Sequence, residues 1–295
     1  MLRQLSPLRM RHAGTVPHAL YVQLSDVCNI TCDYCPCPAS AGTTPFMTMD
    51  VVERLASHLR HTRIDKVHLG GGEPTLHPHF EECARLLRPG ARFLDVVTNG
   101  QWMKEETTAA LASGVFDMVE ISIDAGGADV YQRARVGAHF DRLVRNLTQL
   151  RQQTSRRRTR PIIAVRLMVR PSTAPLLPEA YRLWRNTCDV LFAQHIVQQA
   201  GDLPRTDIYS SATAAPAAYP RCSYPFRAMQ VRADGRVPLC CVTGRTGADS
   251  SNIVGTIAYS GLVDLWHHPL LEQYRTAHRE RRTELMPACH SCTGA

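Results

Sequence analysis

A chain of 295 residues, 44% of them hydrophobic and 20% charged, can bury a full core, which excludes a disordered segment, a collagen-like fibre and a small disulfide-stapled scaffold. Its longest apolar runs, such as residues 20–24 and 162–165, fall far short of the roughly 18 consecutive apolar residues that span a bilayer, and residues 1–16 lack the apolar centre of a secretory signal. A cytoplasmic protein without a membrane span is therefore expected. The formal net charge is +8, and because Lys66 and Lys104 are the only lysines, nearly all positive charge is guanidinium, which suits anionic partners. With only 6% aromatic residues, the arginines read as a solvated surface ahead of a nucleic-acid interface.

From Leu20 onward, short β-rich runs alternate with helical patterns, the signature of repeated βα units. Strands are expected at Leu20–Ser25, Lys66–Gly70, Arg92–Thr98, Met118–Ile123, Ile162–Val169 and Val190–Ile196. Between them, helices are expected at Met49–Leu59, His79–Leu87, Lys104–Ser113, Phe140–Gln152 and Pro178–Asn186. The densest arginine run, Arg156 to Arg158 with Arg160, falls in a loop between a helix and a strand. Six parallel strands form either an open doubly wound sheet or a partial barrel, and both place ligands at the carboxyl ends of the strands. Residues 201–221 collect Gly, Pro, Ser, Thr and Ala and read as a linker. The expected division is a tail at 1–19, a βα region at 20–200, the linker, and a small cysteine-rich region at 222–295 with an amphipathic helical pattern around Leu262–Arg279.

Eleven cysteines are many for a reducing compartment, where clustered thiols more often bind metal than form disulfides. Directly after the first strand stands Cys28-x3-Cys32-x2-Cys35. Three thiolates can hold three irons of a 4Fe–4S cluster and leave the fourth open to a small chelating molecule, whereas zinc would need a fourth ligand and Cys37 follows too tightly to supply it. After the second strand comes Leu69-Gly70-Gly71-Gly72-Glu73-Pro74, where glycine permits close approach of backbone to a ligand. Cys222, Cys240, Cys289 and Cys292 make a complete set of four thiolates, suited either to a second 4Fe–4S cluster or to structural zinc. Cys83 and Cys188 read as small buried hydrophobes, and Cys37 as a flank of the first cluster.

The arrangement C-x3-C-x-Tyr-C, with Tyr34 at its aromatic position, followed one βα unit later by Gly-Gly-Glu-Pro, resembles the signature of the radical S-adenosylmethionine (SAM) superfamily. The resemblance covers roughly residues 20–200 and implies an α/β fold, a partial (βα)6 barrel of parallel strands. It implies that Cys28, Cys32 and Cys35 bind a 4Fe–4S cluster and that Tyr34, Gly71, Gly72, Glu73 and Pro74 lie at SAM, the glutamate meeting its methionine amino group. Asn99, Ser122 and Asp124 match ribose or carboxylate contacts at the ends of the third and fourth strands, and Arg135 resembles an arginine that reaches the SAM carboxylate. The implied chemistry is reductive SAM cleavage, fed by a flavodoxin- or ferredoxin-type reductant, giving a deoxyadenosyl radical that takes a hydrogen atom from an unactivated carbon.

The pattern Cys222…Gly235-x4-Cys240 resembles the opening of the SPASM and Twitch extensions that follow such barrels, which favours an auxiliary 4Fe–4S cluster on Cys222, Cys240, Cys289 and Cys292. The chain runs three residues past Cys292, and the short form, Twitch, with one auxiliary cluster, is expected. Asp234-Gly235-Arg236-Val237 has a hairpin-like turn, and Leu262, Leu265 and Trp266 suit a helix packed over the cluster, Trp266 as core. Cys241 directly follows a ligand candidate and is either a hydrogen-atom donor to a substrate radical, hence catalytic, or a packing residue. His195 is either a substrate acid or base, or a satisfied core histidine.

Small Twitch enzymes resembling this chain include aminoglycoside epimerases and aminocyclitol dehydrogenases, so the expected substrate is a sugar, aminocyclitol or nucleotide sugar. Abstraction at a hydroxyl-bearing carbon then ends in epimerisation, with Cys241 as donor, or in dehydrogenation to a ketone. Net positive charge suits a polycationic substrate only if the pocket is locally acidic. A ribosomally made peptide is the alternative, although about 19 residues before the first strand are too few for the winged-helix leader-binding domain such enzymes often carry. A non-catalytic module binding nucleic acid through its arginines has no need of a SAM-cradling loop.

Overall fold

The computed structural model describes residues 13–35, 44–155, 157–196, 222–241 and 252–282 together with Cys289. Alternation organises the first strand: in β1 (Ala19–Ser25), Leu20, Val22 and Leu24 are wholly buried while Tyr21 and Gln23 turn to the opposite face. A two-residue strand β2 (Thr31–Cys32) follows, then α1 (Met49–Thr62), β3 (Ile64–Gly71), α2 (Phe80–Leu87), β4 (Ala91–Thr98) and α3 (Glu105–Ala112). The chain continues through β5 (Met118–Asp124), α4 (Ala128–Ala134), the two-residue β6 (Arg135–Val136), α5 (Phe140–Ser155), β7 (Ile162–Val169), α6 (Leu177–Trp184) and β8 (Val190–His195). Each long helix offers one apolar stripe: α1 buries Val52, Leu55, Ala56 and Leu59, three to four residues apart.

The main sheet runs β8-β7-β5-β4-β3-β1-β9, where β9 is Ala228–Val231, and every neighbouring pair is parallel. From β1 to β8 every crossover steps in one direction. A doubly wound sheet reverses direction at a switch point; this one does not, so the partial barrel is the fold. Leu20, Val67, Leu94, Val119 and Val165 pack on the helix side, and the intervening residues form the inner face.

The C-terminal region supplies α7 (Tyr224–Arg227) and then β9, a seventh strand paired with β1 from Ala19↔Ala228 to Val22↔Val231. The expected turn follows, with Gly235 at φ 78° and its N–H donating to Arg232 O at 2.9 Å. It leads to β10 (Arg236–Pro238), which pairs antiparallel with β11 (Ile253–Thr256). The helical pattern expected at 262–279 divides into α8 (Leu262–Trp266) and α9 (Pro269–Glu280), because Pro269 starts a new helix whose first N–H, that of Leu270, donates to the His268 ring. Trp266 is core, as expected: it is fully buried, donates from Nε1 to Gly14 O at 2.7 Å and lies 4.0 Å beneath the Arg275 guanidinium. Cys83 and Cys188 are buried, also as expected. The linker at 201–221, Cys37 and Cys292 lie outside the described residues. Among the described residues no helix is long and apolar enough to cross a membrane.

Candidate active site

Both sequence motifs start where neighbouring parallel strands end. Ser25 closes β1 and turns the chain, its Oγ donating to Val27 O at 2.9 Å. The pairing with β3 then continues past the strands: Gly72 N–H donates to Ser25 O at 2.7 Å and Glu73 N–H to Val27 O at 2.8 Å. A Cβ on Gly72 would stand 2.2 Å from Val27 O, and one on Gly71, at φ 111°, 2.6 Å from Ser25 O. The cysteine loop itself therefore demands glycine at both positions.

Glu73 is buried and fastens the strand ends together. Its Oε1 accepts from Thr75 N, Thr75 Oγ1 and Thr98 Oγ1 at 3.2, 2.6 and 2.8 Å, and Oε2 accepts from Asn99 N–H at 2.8 Å. Burial pushes its carboxyl up, against the pull of these hydrogen bonds. Pro74 is buried behind it at the start of a short 3-10 turn. The Asn99 amide donates to Asn29 Oδ1 at 2.8 Å and reaches the Cys28 sulfur at 3.5 Å. Cys28, Glu73, Pro74 and Asn99 thus meet in one place.

A second group gathers on the other side of the loop. β2 and β6 form a small antiparallel ladder in which Cys32 pairs with Arg135. The buried Arg135 side chain bonds Asp124 through Nε and Ser122 Oγ at 3.1 Å through Nη2, and its guanidinium lies 5.8 Å from the Tyr34 ring. Tyr34 donates to Asp124 Oδ2 at 3.2 Å, and Arg170, paired with Asp33, lies 5.1 Å from the ring. Burial pushes the Cys32 thiol up to about 12, with Arg135 opposing the rise, and burial likewise raises Cys28. Cys35 is exposed, its N–H turned back to Cys32 O at 3.1 Å.

This donor set fits the groups implied for it. Three cysteines share one loop, two held in shelter and one open. Asp124 Oδ1 is buried without a hydrogen-bond partner among the described residues, an acceptor suited to a hydroxyl or ammonium of SAM.

In the C-terminal region Cys222, Cys240, Cys241 and Cys289 are all half-buried. The Tyr224 phenol is pushed well up, first by burial and then by Cys241, Cys240, Tyr21 and Cys222. Tyr21, raised first by burial and next by Cys241, stacks on Tyr224 with centroids 6.2 Å apart and meets the edge of His68 at 5.2 Å. Cys241 thus acts electrostatically on two aromatic side chains, Tyr21 of the inner barrel face and Tyr224. Tyr21, His68 and Tyr224 escape the motif reading; alternation around Leu20 and Val22 was the available signal for Tyr21. His195 is exposed, which sets aside its core reading; among the described residues β8 pairs with β7 alone.

Residues 22–169 match the radical SAM superfamily, and residues 222–293 match the SPASM iron–sulfur cluster-binding domain. A probable GTP 3',8-cyclase of Pyrococcus horikoshii is 34% identical over 105 residues, which cover 36% of this chain and 34% of that enzyme. The chain thus spans about a third of that relative's length. Among crystal structures, SuiB of Streptococcus suis bound to S-adenosylmethionine superposes with a TM-score of 0.74 at 16% identity, covering 94% of this chain and 71% of SuiB. SuiB has also been captured with its precursor peptide SuiA. BtrN in complex with AdoMet and 2-DOIA superposes with a TM-score of 0.60 at 17% identity, covering 94% and 93% of the two chains. At such identities the structural likeness establishes the fold alone. The family match extends over half of the sequence, with its two motifs at the ends of adjoining strands, and the chain belongs to the radical SAM superfamily, with SAM, a 4Fe–4S cluster and auxiliary iron–sulfur chemistry as its cofactors.

Proposed function

We propose that this enzyme removes a hydrogen atom from a hydroxyl-bearing carbon of a sugar or aminocyclitol and returns one to the opposite face, an epimerisation with Cys241 as hydrogen donor. The observation that carries the reading is the half-buried Cys241 thiol, which follows β10 and acts electrostatically on Tyr21 of the inner face of β1. A thiol gives up a hydrogen atom to a carbon radical far more readily than an alcohol or amide does.

Bound SAM and its cluster supply the acceptor for the first hydrogen atom. Cys28, Cys32 and Cys35 would hold the cluster; Glu73, Asn99, Ser122, Asp124 and Arg135 would orient SAM. Cys222, Cys240, Cys289 and Cys292 would hold one auxiliary cluster, in the manner of the shorter Twitch form. Along the inner face, charges occur in pairs: Lys66 with Asp95 at 3.0 Å, Arg166 with Glu120, Arg135 with Asp124. Matched charges favour a neutral or lightly charged polyol over a polyphosphate or polycation.

The test is anaerobic turnover in deuterium oxide of glucosamine, myo-inositol and 2-deoxystreptamine, by wild type and Cys241→Ala. Epimerisation predicts one deuterium in the product, and in the variant SAM cleavage without product. A ketone formed by both proteins replaces this reading with dehydrogenation. A second reading, modification of a ribosomally made peptide, draws on the SuiB-like fold; it predicts tight binding of a peptide encoded beside the gene and no turnover of the three polyols.

A further inference from the structure

Three neighbouring strands place Tyr21, His68 and Asp95 side by side, with Tyr21↔His68 and His68↔Asp95 in register. All three lie opposite the helix-facing Val22, Leu69 and Val96, on the inner face. Asp95 is wholly buried, and its Oδ2 accepts from His68 Nδ1 at 2.9 Å and Lys66 Nζ at 3.0 Å. Burial pushes the Asp95 carboxyl up, but the His68 and Lys66 contacts outweigh it and hold the group below the usual range. Its other oxygen, Oδ1, has no hydrogen-bond partner among the described residues. Burying the Asp95 carboxylate on the inner face carries a desolvation penalty that its ion-pair partners offset only in part.

The geometry sets the histidine's protonation pattern. An ionised carboxylate at Nδ1 holds the ring proton there, which leaves the Nε2 lone pair as the reactive edge. That edge is directed along β3 toward the glycine motif: a Cβ built on Gly70 would stand 3.4 Å from Nε2, and glycine leaves this approach uncovered. The groups facing His68 are Tyr21 from β1, Asp95 from β4 and Lys66 from its own strand. Tyr21 is in turn raised by burial first and then by the charge of Cys241, the proposed hydrogen donor.

We infer that His68, positioned by Asp95 and Lys66, is the acid–base residue of this barrel, whose Nε2 accepts the proton of the substrate hydroxyl on the carbon that loses its hydrogen atom. The inference rests on the proposed polyol chemistry. The O–H bond breaks and an N–H bond forms as the carbon is activated, and the proton passes back to oxygen when the thiol gives its hydrogen atom to carbon; the thiyl left at Cys241 takes one electron from the flavodoxin- or ferredoxin-type reductant and one proton from solvent to restore the thiol.

The experiment has two arms. In the first, 15N-histidine NMR of the reconstituted, oxidised, SAM-free protein at pH 8 reads the His68 tautomer, assigned with His68→Asn. A proton on Nδ1, shifted off that position by Asp95→Asn, is expected; a proton on Nε2 overturns the inference without any substrate. In the second, whichever of glucosamine, myo-inositol and 2-deoxystreptamine is turned over is given to His68→Asn, which retains a donor for Asp95 and lacks Nε2. A fall in kcat of about 100-fold with KM within about threefold is expected, at unchanged iron content. Unchanged kcat overturns the role. Absence of turnover of all three by wild type counts against the polyol reading, and the tautomer then decides for His68 alone; if His68→Asn does not fold, the His68 signal is assigned by its response to Asp95→Asn and the tautomer again decides.

Discussion

Cys32 and Arg135 stand directly opposite each other in the ladder of β2 and β6, next to the hydrogen bond from Asp33 N–H to Ala134 O at 3.1 Å, so a cysteine of the first cluster motif faces the arginine matched to the SAM carboxylate. The ladder joins two loops about a hundred residues apart in sequence, and Arg135 then ties it to β5 through Asp124 and Ser122. Moving either side chain moves the other.

Arg135→Gln should expose how much rests on this link. Asp124 and Arg135 are both almost fully buried, so removing one leaves the other as an unpaired charge, a loss of about 3–5 kcal/mol by urea denaturation. The double substitution Asp124→Asn/Arg135→Gln should recover most of the loss, since it removes both charges. If the double variant is as unstable as the single one, the cost comes from lost packing on Tyr34 and Tyr131.

Neighbouring glycines should respond differently to one added methyl group. In Gly72→Ala the new Cβ meets backbone, 2.2 Å from Val27 O, so the two motif loops must separate and iron binding should fail. In Gly70→Ala the nearest atom is His68 Nε2 at 3.4 Å, an ordinary contact, and iron content with thermal midpoint should stay near wild type. Iron and sulfide per chain after anaerobic reconstitution distinguishes the two.

The strands expected from sequence agree with the structure to within two residues at each end, because apolar alternation and the turn residues between runs are local properties. What escapes is non-local. β9 is four residues long and owes its place to pairing with β1, some two hundred residues earlier; the two-residue β2·β6 ladder has no period to detect. The cysteine and glycine motifs were legible because each directly follows a recognisable strand. The Tyr21–His68–Asp95 row was not, since its members sit on three strands and only register brings them together. Of the two readings for His195, the core placement fails because nothing local shows that β8 lies at the edge of the described sheet.

The three cysteines of the first motif should alkylate in a fixed order in the cluster-free chain. Cys35 is exposed and reacts first; Cys32, pushed up to about 12 mainly by burial, has about one thiol in ten thousand ionised at pH 8. Its iodoacetamide rate should rise about tenfold per pH unit between pH 8 and 10 and reach the Cys35 rate only in urea. The sign extends to stability: an unfolded thiol ionises first as pH rises, so Cys32's contribution is fully present below about pH 8.5 and is lost as pH climbs toward its folded value. Iron binding demands the thiolate, so cluster assembly should release protons and run faster at higher pH. Mass spectrometry of the modified peptides checks the order.

Tyr224 carries the last expectation. Its hydroxyl is buried with no hydrogen-bond partner among the described residues, while its ring stacks on Tyr21. A buried, unsatisfied hydroxyl costs about 1–3 kcal/mol, whereas the aromatic contact does not depend on it. Tyr224→Phe should therefore stabilise the cluster-free chain by about 1 kcal/mol, seen as a higher urea midpoint at unchanged slope. Cys241, Cys240 and Cys222 act electrostatically on this phenol. If the hydroxyl donates to sulfur once iron is bound, the gain in the variant should shrink or reverse on reconstitution. Equal gains before and after would mean that the hydroxyl never finds a partner there, and would leave Tyr224 as a purely structural ring between the barrel and its C-terminal cysteines.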